Sequence, residues 1–264
     1  MQNFDELSVL ELNENVGRLS EPSKMAGTSW SISAWLCQVG GHLSGLAGSV
    51  CDGCYAKKGQ YVFPSFKKAA SRRWRKMRYA LSFESSREKF IGSFVSLLNK
   101  KKDHTIKRLA EGRKVSCDAR YHRWFDSGDL QSTEMALVIF EIARRCPDIQ
   151  FWMPSRETDY ILDAIDREGA PPINIAVRIS AHWPDSNPIN NAKLIAAGCY
   201  LSGVHTEKGN IPETMGDRDG QWSFFECPAW KQDNECRNCR ACYPAAYDGH
   251  KTIAGSLAVS YPIH

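Results

Sequence analysis

The chain has 264 residues, of which 42% are hydrophobic and 24% are charged, and its formal net charge is +4. This length suffices for one barrel-sized domain or for two smaller ones. No apolar run approaches the roughly 20 residues of a membrane-spanning helix, and the acidic N-terminus lacks the features of a signal peptide. We therefore expect a cytoplasmic protein without membrane contact. In that reducing compartment, clustered cysteines are more often metal ligands or redox groups than partners in disulfides, and we interpret the ten cysteines of this chain accordingly.

The first third of the chain combines one strand, one long loop and two helices. Residues 29–36 alternate and are rich in aromatic side chains, which predicts a strand that delivers Cys37 at its end. The glycine-rich loop over 37–54 follows. The spacing of apolar residues then predicts helices over 64–81 and 86–98, and a charged loop over 100–104.

From residue 114 onward, strands and helices alternate. The strands are predicted at 121–125, 149–154, 173–179 and 200–204, and the helices at 131–145, 157–167 and 192–197. This alternation predicts an α/β fold with parallel strands, either a full or partial (β/α) barrel or an open sheet. We expect an N-terminal surface segment over 1–25, a barrel-like domain over 26–220, and a cysteine-rich metal-binding segment over 221–264 packed on the barrel.

The positive charge is concentrated in one segment. Nine basic residues and no acidic residue lie between Lys57 and Arg78, so the remainder of the chain carries a net charge of −5. Such a patch attracts phosphate, nucleotides or nucleic acid. The alternative is a solvated helix face, because Lys and Arg are also good helix formers.

Three cysteines near the N-terminus have the spacing of metal ligands. Cys51 and Cys54 form a C-x-x-C pair, and Cys37 lies fourteen residues upstream. We call these three residues the N-terminal cysteine group. Three ligands leave one position of a zinc ion or of a cubane iron–sulfur cluster open, unless another side chain completes the shell.

Four further cysteines form the C-terminal cysteine group, which consists of Cys227, Cys236, Cys239 and Cys242. The last three are separated by two residues each and are followed by Tyr243 and Pro244. This spacing is close to that of ferredoxin-like segments that bind a [4Fe–4S] cluster. A structural zinc site is the alternative, because four cysteines with C-x-x-C elements also bind zinc.

Polar residues follow each predicted strand after residue 114. They occupy positions 126–129, 155–157, 180–182 and 205–208. Because active sites of parallel α/β folds form at the carboxyl ends of the strands, these positions predict a common site. Individually, Asp126 or Ser155 can equally cap the helix that follows.

Several segments together resemble the phage gene-product-eighty-eight family. They are CDGCYAKKGQY at 51–61, RWFDSGDL at 123–130, FWMPSRE at 151–157, ECP at 226–228, the C-terminal cysteine run and the ending YPIH at 261–264. The resemblance extends from about residue 29 to residue 264. The family consists of bacteriophage-encoded iron–sulfur proteins that resemble radical S-adenosylmethionine (SAM) barrels, which implies a location in the host cytoplasm.

The resemblance also implies a cofactor arrangement. In radical SAM chemistry, three cysteines hold a [4Fe–4S] cluster whose open iron binds the amino and carboxylate groups of SAM. The N-terminal cysteine group would hold this cluster, and the C-terminal group would hold an auxiliary cluster that relays electrons or fixes the C-terminal segment. The residues implied in SAM binding are Asp126, Ser127 and Asp129 for the amino group, and Arg156 or Lys208 for the carboxylate.

The spacing departs from the radical SAM pattern, in which the three cysteines lie closer together. Thirteen residues separate Cys37 from Cys51, so His42, Asp52 or a C-terminal cysteine can instead complete a closed cluster. Two hypotheses follow. The chain is a redox or radical SAM enzyme that acts on a nucleotide or nucleic acid and needs an electron donor, or it is a non-catalytic iron–sulfur protein that binds nucleic acid or a host protein.

Overall fold

The computed structural model of the chain describes residues 3–188, 192–215, 223–247 and 258–263. Within these ranges the strands are β1 (Thr28–Trp30), β2 (Tyr121–Trp124), β3 (Gln150–Ser155), β4 (Ile175–Ser180), β5 (Tyr200–His205), β6 (Phe224–Glu226) and β7 (Ala258–Pro262). The α-helices are α1 (Val9–Val16), α2 (Val39–Leu43), α3 (Pro64–Ser82), α4 (Glu84–Ala110), α5 (Thr133–Arg145), α6 (Thr158–Glu168) and α7 (Ala192–Ala196). None of the helices in this part of the chain is both long and apolar enough to cross a membrane.

The strands form one parallel sheet that does not close. Their order is β1-β2-β3-β4-β5-β7-β6, so the last strand of the chain inserts between β5 and β6. Every neighbouring pair is parallel. The α/β class with parallel strands is confirmed, and this arrangement is compatible with a partial barrel. A closed barrel is not formed by the described residues, since β1 and β6 are the two edges.

One face of the sheet packs against helices. Alternate side chains of a strand point to opposite faces, and on this side Trp124, Phe151 and Val177 are buried in the main hydrophobic core. Phe94 of α4 stacks on Trp124, with ring centroids 4.9 Å apart. α5 adds its apolar face and begins at Ser132, whose side chain accepts a hydrogen bond from the Met135 amide.

The other face of the sheet is polar and aromatic, and the C-terminal segment covers it. Tyr243 packs with Tyr121 and Trp152 in a second buried group. Arg178 in the middle of β4 is fully buried. Its guanidinium donates hydrogen bonds to the carbonyl oxygens of Cys242 at 3.1 Å and Ala241 at 2.6 Å. The segment therefore docks on the sheet through its backbone.

The N-terminal region differs from the predicted surface segment. Residues 1–25 contain α1, which begins with a capping box formed by Ser8 and Glu11. Leu12 and Val16 are fully buried in the main core. The helix was not predicted because it has only eight residues, which is too short a stretch to define a clear helical period.

Two further elements differ from their predictions. The strand predicted over 29–36 is only β1, and a 3-10 helix over Ala34–Leu36, rather than the strand itself, leads into Cys37. The charged loop predicted over 100–104 is part of α4. Lysine is a good helix former, so charge alone does not end a helix.

The pH dependence of stability provides a test of the core around His122. This side chain is fully buried, and its Nδ1 lies 2.8 Å from Thr28 Oγ1. Burial, followed by the charge of Arg73, lowers the pKa of His122 to about 3. Below the ordinary histidine pKa of about 6.5, the unfolded chain therefore takes up a proton that the folded chain does not.

We expect the free energy of unfolding to fall by about 1.4 kcal/mol per pH unit through His122 as the pH drops from about 6 towards 3. Urea denaturation at a series of pH values measures this slope. His122→Leu should remove this contribution, whereas His104→Gln at an exposed position should leave it in place. An unchanged slope in His122→Leu would contradict the assignment.

Candidate metal centres and cofactor site

A cavity of about 350 Å³ lies at the carboxyl ends of the strands. Its lining includes the N-terminal cysteine group, the turn after β2, Arg123, Arg156 and Tyr261. This volume is at the lower end of the range of about 300 to 1,000 Å³ for small-molecule sites. The cavity is therefore where the strand-end residues and the first cysteines meet, as the sequence predicts for a parallel α/β fold.

Two members of the N-terminal cysteine group, Cys37 and Cys51, lie against Gly40 in α2. A Cβ atom at Gly40 would lie 3.4 Å from Cys51 Sγ and 3.9 Å from Cys37 Sγ. Cys54 follows Cys51 in a turn closed by the hydrogen bond from the Cys54 amide to the Cys51 carbonyl. Glycine at position 40 thus leaves room for the sulfur atoms of Cys37 and Cys51.

Two neighbouring strands anchor the loop that carries these cysteines. Glu157 Oε1, just after β3, accepts hydrogen bonds from the backbone amides of Gln38 at 3.1 Å and Val39 at 2.9 Å. The Val50 amide donates to the His182 carbonyl, just after β4. Thirteen residues separate Cys37 from Cys51. These contacts nevertheless hold both ends of the intervening segment at the carboxyl ends of β3 and β4.

Burial favours the protonated form of two N-terminal thiols, those of Cys37 and Cys51. Burial, together with the charges of Asp129, Cys51 and Cys54, raises the pKa of Cys37 to about 12. Burial also raises the pKa of Cys51, although the nearby Arg156 opposes this shift. Metal binding would therefore release protons from these thiols.

Asp126 lines the cavity, and one of its carboxylate oxygens has no hydrogen-bond partner among the described residues. The turn after β2 contains Phe125 and Gly128 with positive φ values of 57° and 80°. It is held by hydrogen bonds from the Asp126 amide to Ser31 Oγ and from Tyr55 Oη to the Asp126 carbonyl. Asp126 Oδ1 is buried and accepts no hydrogen bond from any described residue. Burial raises the pKa of this carboxyl, which the positive charge of Arg123 counteracts.

Ser127 and Asp129 use their polar groups inside the protein. Ser127 Oγ donates to the Ile32 carbonyl at 2.6 Å. The Asp129 carboxylate is buried and accepts hydrogen bonds from Ser155 Oγ at 2.6 Å, the Arg156 amide at 2.9 Å and its neighbouring Leu130 amide. Of the three residues expected at the SAM amino group, Asp126 alone retains a free acceptor among these contacts.

The two residues expected at the SAM carboxylate lie in different places. Arg156 lines the cavity, and its Nε donates to the Ala181 carbonyl at 3.1 Å. Lys208 is exposed and is not one of the lining residues. Of the alternative fourth ligands, Asp52 lines the cavity and accepts a hydrogen bond from the Gly48 amide, whereas His42 is exposed and lies outside the lining.

The C-terminal cysteine group assembles separately. The charges of Cys242, Cys236 and Cys239 add to burial in raising the pKa of Cys227 to about 12. Burial, followed by Cys242, raises the pKa of Cys236 to about 11. Cys236 and Cys239 share a turn that is closed by the hydrogen bond from the Cys239 amide to the Cys236 carbonyl. Further backbone hydrogen bonds hold Cys227 and Cys236, from the Cys227 amide to the Ser260 carbonyl and from the Cys236 amide to the Lys24 carbonyl.

We call the face of the sheet that the C-terminal segment covers the inner face. Residues on this face connect the C-terminal cysteine group to the cavity. The Tyr261 hydroxyl lies 3.1 Å from Cys242 Sγ, and Tyr261 also lines the cavity. Arg123 lies over the Trp152 ring at 4.0 Å. Sequence reasoning missed the roles of Arg123, Arg178 and Tyr261. An arginine within an otherwise apolar strand, as in IAVRIS, is the signal that could have found Arg178.

The two cysteine groups have the ligand chemistry of an iron–sulfur site, because all their side chains are thiols and cysteine thiolates hold such clusters. Within the described ranges, no three His, Cys, Asp or Glu side chains are close enough together to hold one metal ion.

The different roles of the two carboxylates can be tested by stability. Asp129→Asn should lower the free energy of unfolding by about 1 to 3 kcal/mol, because an amide cannot accept all the hydrogen bonds made to this buried carboxylate. Asp126→Asn should lower it by less, because Oδ1 has no hydrogen-bond partner to lose and an amide oxygen can still accept the backbone hydrogen bonds made to the other oxygen. Urea denaturation of both variants at pH 7 measures the difference. Equal losses would contradict the distinction.

Comparison with known proteins gives one match. No curated protein and no solved structure matches the chain. The family model described as gene product 88 matches residues 13–245. This match covers most of the chain, including the N-terminal cysteine group, the strands from β1 to β6 and the C-terminal cysteine group. The chain therefore belongs to the gene product 88 family.

Proposed function

We propose that the chain is an iron–sulfur protein of radical SAM type that acts on a nucleotide or nucleic acid. The observation that carries this proposal is the position of the N-terminal cysteine group, which borders the same cavity as Asp126, a carboxylate whose Oδ1 has no hydrogen-bond partner among the described residues. Three thiols supply an incomplete ligand shell, and the neighbouring cavity offers room for the molecule that completes it.

The lining residues suit the polar groups of SAM. When bound, a [4Fe–4S] cluster with SAM supplies one-electron cleavage of the sulfonium carbon–sulfur bond. Cys37, Cys51 and Cys54 would hold the cluster. Asp126 would accept a charge-assisted hydrogen bond from the amino group, and Arg156 would face the carboxylate. Arg156 is favoured over Lys208 because only the former lines the cavity.

The C-terminal cysteine group would hold a second cluster. Arg178 and Tyr261 contact its segment from the sheet, so a cluster at this position would fix the segment against the inner face. It would also relay electrons from an external donor towards the cavity, which Tyr261 lines on this side.

The second candidate is a non-catalytic iron–sulfur protein that binds nucleic acid or a host protein. Asp52 favours this candidate, because it lines the cavity beside the N-terminal cysteine group. A carboxylate ligand from Asp52 would close the cluster and leave no position for SAM.

Single cysteine substitutions test whether two separate sites exist. Cys51→Ala should reduce the iron bound per chain by about half, because it removes a ligand of one cluster alone. Cys239→Ala should produce a similar loss at the other site. Cys146→Ala removes a buried thiol outside both groups and should leave the iron content unchanged. Complete loss of iron from a folded Cys51→Ala protein would contradict two independent sites.

Asp126→Asn tests whether SAM uses the cavity. In anaerobically reduced protein, added SAM should change the electron paramagnetic resonance spectrum of the N-terminal cluster. Asp126→Asn should keep the iron but weaken the response to SAM at least tenfold, because the charged acceptor for the amino group is gone. Lys208→Gln should respond as the unmodified protein does. A normal response in Asp126→Asn would remove Asp126 from the site.

A further inference from the structure

A row of cations occupies the exposed face of α3. Lys67, Lys68, Arg75 and Arg78 are exposed and recur at helical spacing, so they lie on one side of the helix. We call these four residues the cation row. At about 1.5 Å per residue, the row is roughly 16 Å long. Its charge is not neutralised locally, because no acidic residue occurs between positions 57 and 78.

Arg73 is not part of this row. It is buried on the opposite side of α3 and donates hydrogen bonds to the Arg18 carbonyl at 2.8 Å and the Ser31 carbonyl at 3.4 Å. Arg73 therefore fixes α3 to the sheet edge near β1. The basic segment thus divides into an internal anchor and an external charged face.

Aromatic rings continue the surface from the start of α3 to the cavity. Phe66 in the first turn packs on Tyr61, with centroids 4.6 Å apart, and Tyr61 packs on Tyr55 at 5.6 Å. Tyr55 is half exposed and lines the cavity. Phe63, immediately before α3, has 59% of its surface exposed. Exposed aromatic rings at both ends of a packed row of this kind are typical of an interaction site.

Further rings lie at both ends of this surface. Trp35 is 66% exposed, and Lys57 Nζ lies 4.9 Å from its ring centroid. Lys57 also lines the cavity. At the C-terminal end of α3, Tyr79 and Phe83 are exposed, with ring centroids 6.3 Å apart. Cations in the middle are therefore flanked by stacking platforms at both ends.

We propose that this surface binds single-stranded nucleic acid and directs one unpaired base towards the cavity. The cation row would follow the phosphates, and the exposed rings would stack on bases, which duplex DNA or RNA keeps inside its own stack. The proposal rests on the proposed function only in taking the cavity as the reactive site. Binding itself depends on α3 and its flanking rings.

Fluorescence anisotropy with labelled oligonucleotides tests the proposal. The probes are single strands of RNA and of DNA about 12 nucleotides long, with the matching duplexes, titrated at salt concentrations from about 50 to 200 mM. We expect at least one single strand to bind at least tenfold more tightly than its duplex. Its affinity should fall linearly with salt on logarithmic axes.

Two double variants separate the charged and aromatic contributions. Lys68→Gln with Arg75→Gln should reduce the magnitude of the salt slope by about 1.4, because each lost phosphate contact on a single strand contributes about 0.7. Phe63→Ala with Tyr79→Ala should weaken binding about tenfold or more and leave the slope unchanged. The controls are Lys107→Gln with Lys114→Gln and Ile173→Ala, at exposed positions outside this surface.

Four results would overturn the proposal. They are no binding, equal affinity for duplex and single strand, no dependence on salt, and equal losses in the control variants. Iron content is measured on every preparation, which separates the two proposals. Failed binding with normal iron removes the nucleic-acid surface alone, whereas normal binding without iron removes the iron–sulfur assignment alone.

Discussion

The inner face of the sheet carries buried polar side chains that need hydrogen-bond partners, and the arrangement of the C-terminal segment follows from this requirement. A parallel sheet is stable only when both faces are packed, yet here one face carries Arg123, Trp152 and the fully buried Arg178. Helices cannot satisfy the polar groups of this face. The C-terminal segment does so with backbone carbonyls, which accept the hydrogen bonds of Arg178. Covering the sheet in this way brings the C-terminal cysteine group against the cavity lining.

The two cysteine groups both contain thiols with raised pKa values, and they differ in their position relative to the cavity. In both, burial raises the pKa of thiols, to about 12 for Cys37 and for Cys227. Thiolates in such surroundings need a nearby positive charge, which the proposed clusters would supply. The N-terminal group borders the cavity, whereas Cys242 of the other group contacts Tyr261. For this reason we propose an open site for the first group and a closed site for the second.

Local patterns were sufficient to predict much of the fold. Strands β2 to β5 and helices α5 to α7 agree with their predictions to within about two residues. The short strands β6 and β7 were not predicted, because three to five residues carry little periodicity and the pairing of β7 with β5 joins distant parts of the chain. The insertion of β7 between β5 and β6 could be seen only in three dimensions.

The sequence indicated where the candidate site residues would lie, but it did not indicate what each side chain contacts there. Asp126 and Arg156 line the cavity, as expected from their positions after strands. Sequence could not distinguish Asp126 from Asp129, because their difference lies in hydrogen bonds made to Asp129 by Ser155 and the Arg156 backbone. Lys208 also follows a strand, but it is not among the cavity-lining residues. Such differences depend on turn geometry rather than on residue type.

The most direct test of the central claim is the iron and sulfide content of anaerobically purified protein, combined with its electron paramagnetic resonance spectrum after reduction, with and without SAM. Two cubane clusters predict about eight irons per chain, and an open iron predicts a spectrum that SAM perturbs. About four irons and no response to SAM would contradict the account in favour of one closed cluster. Zinc without iron would contradict the iron–sulfur assignment altogether.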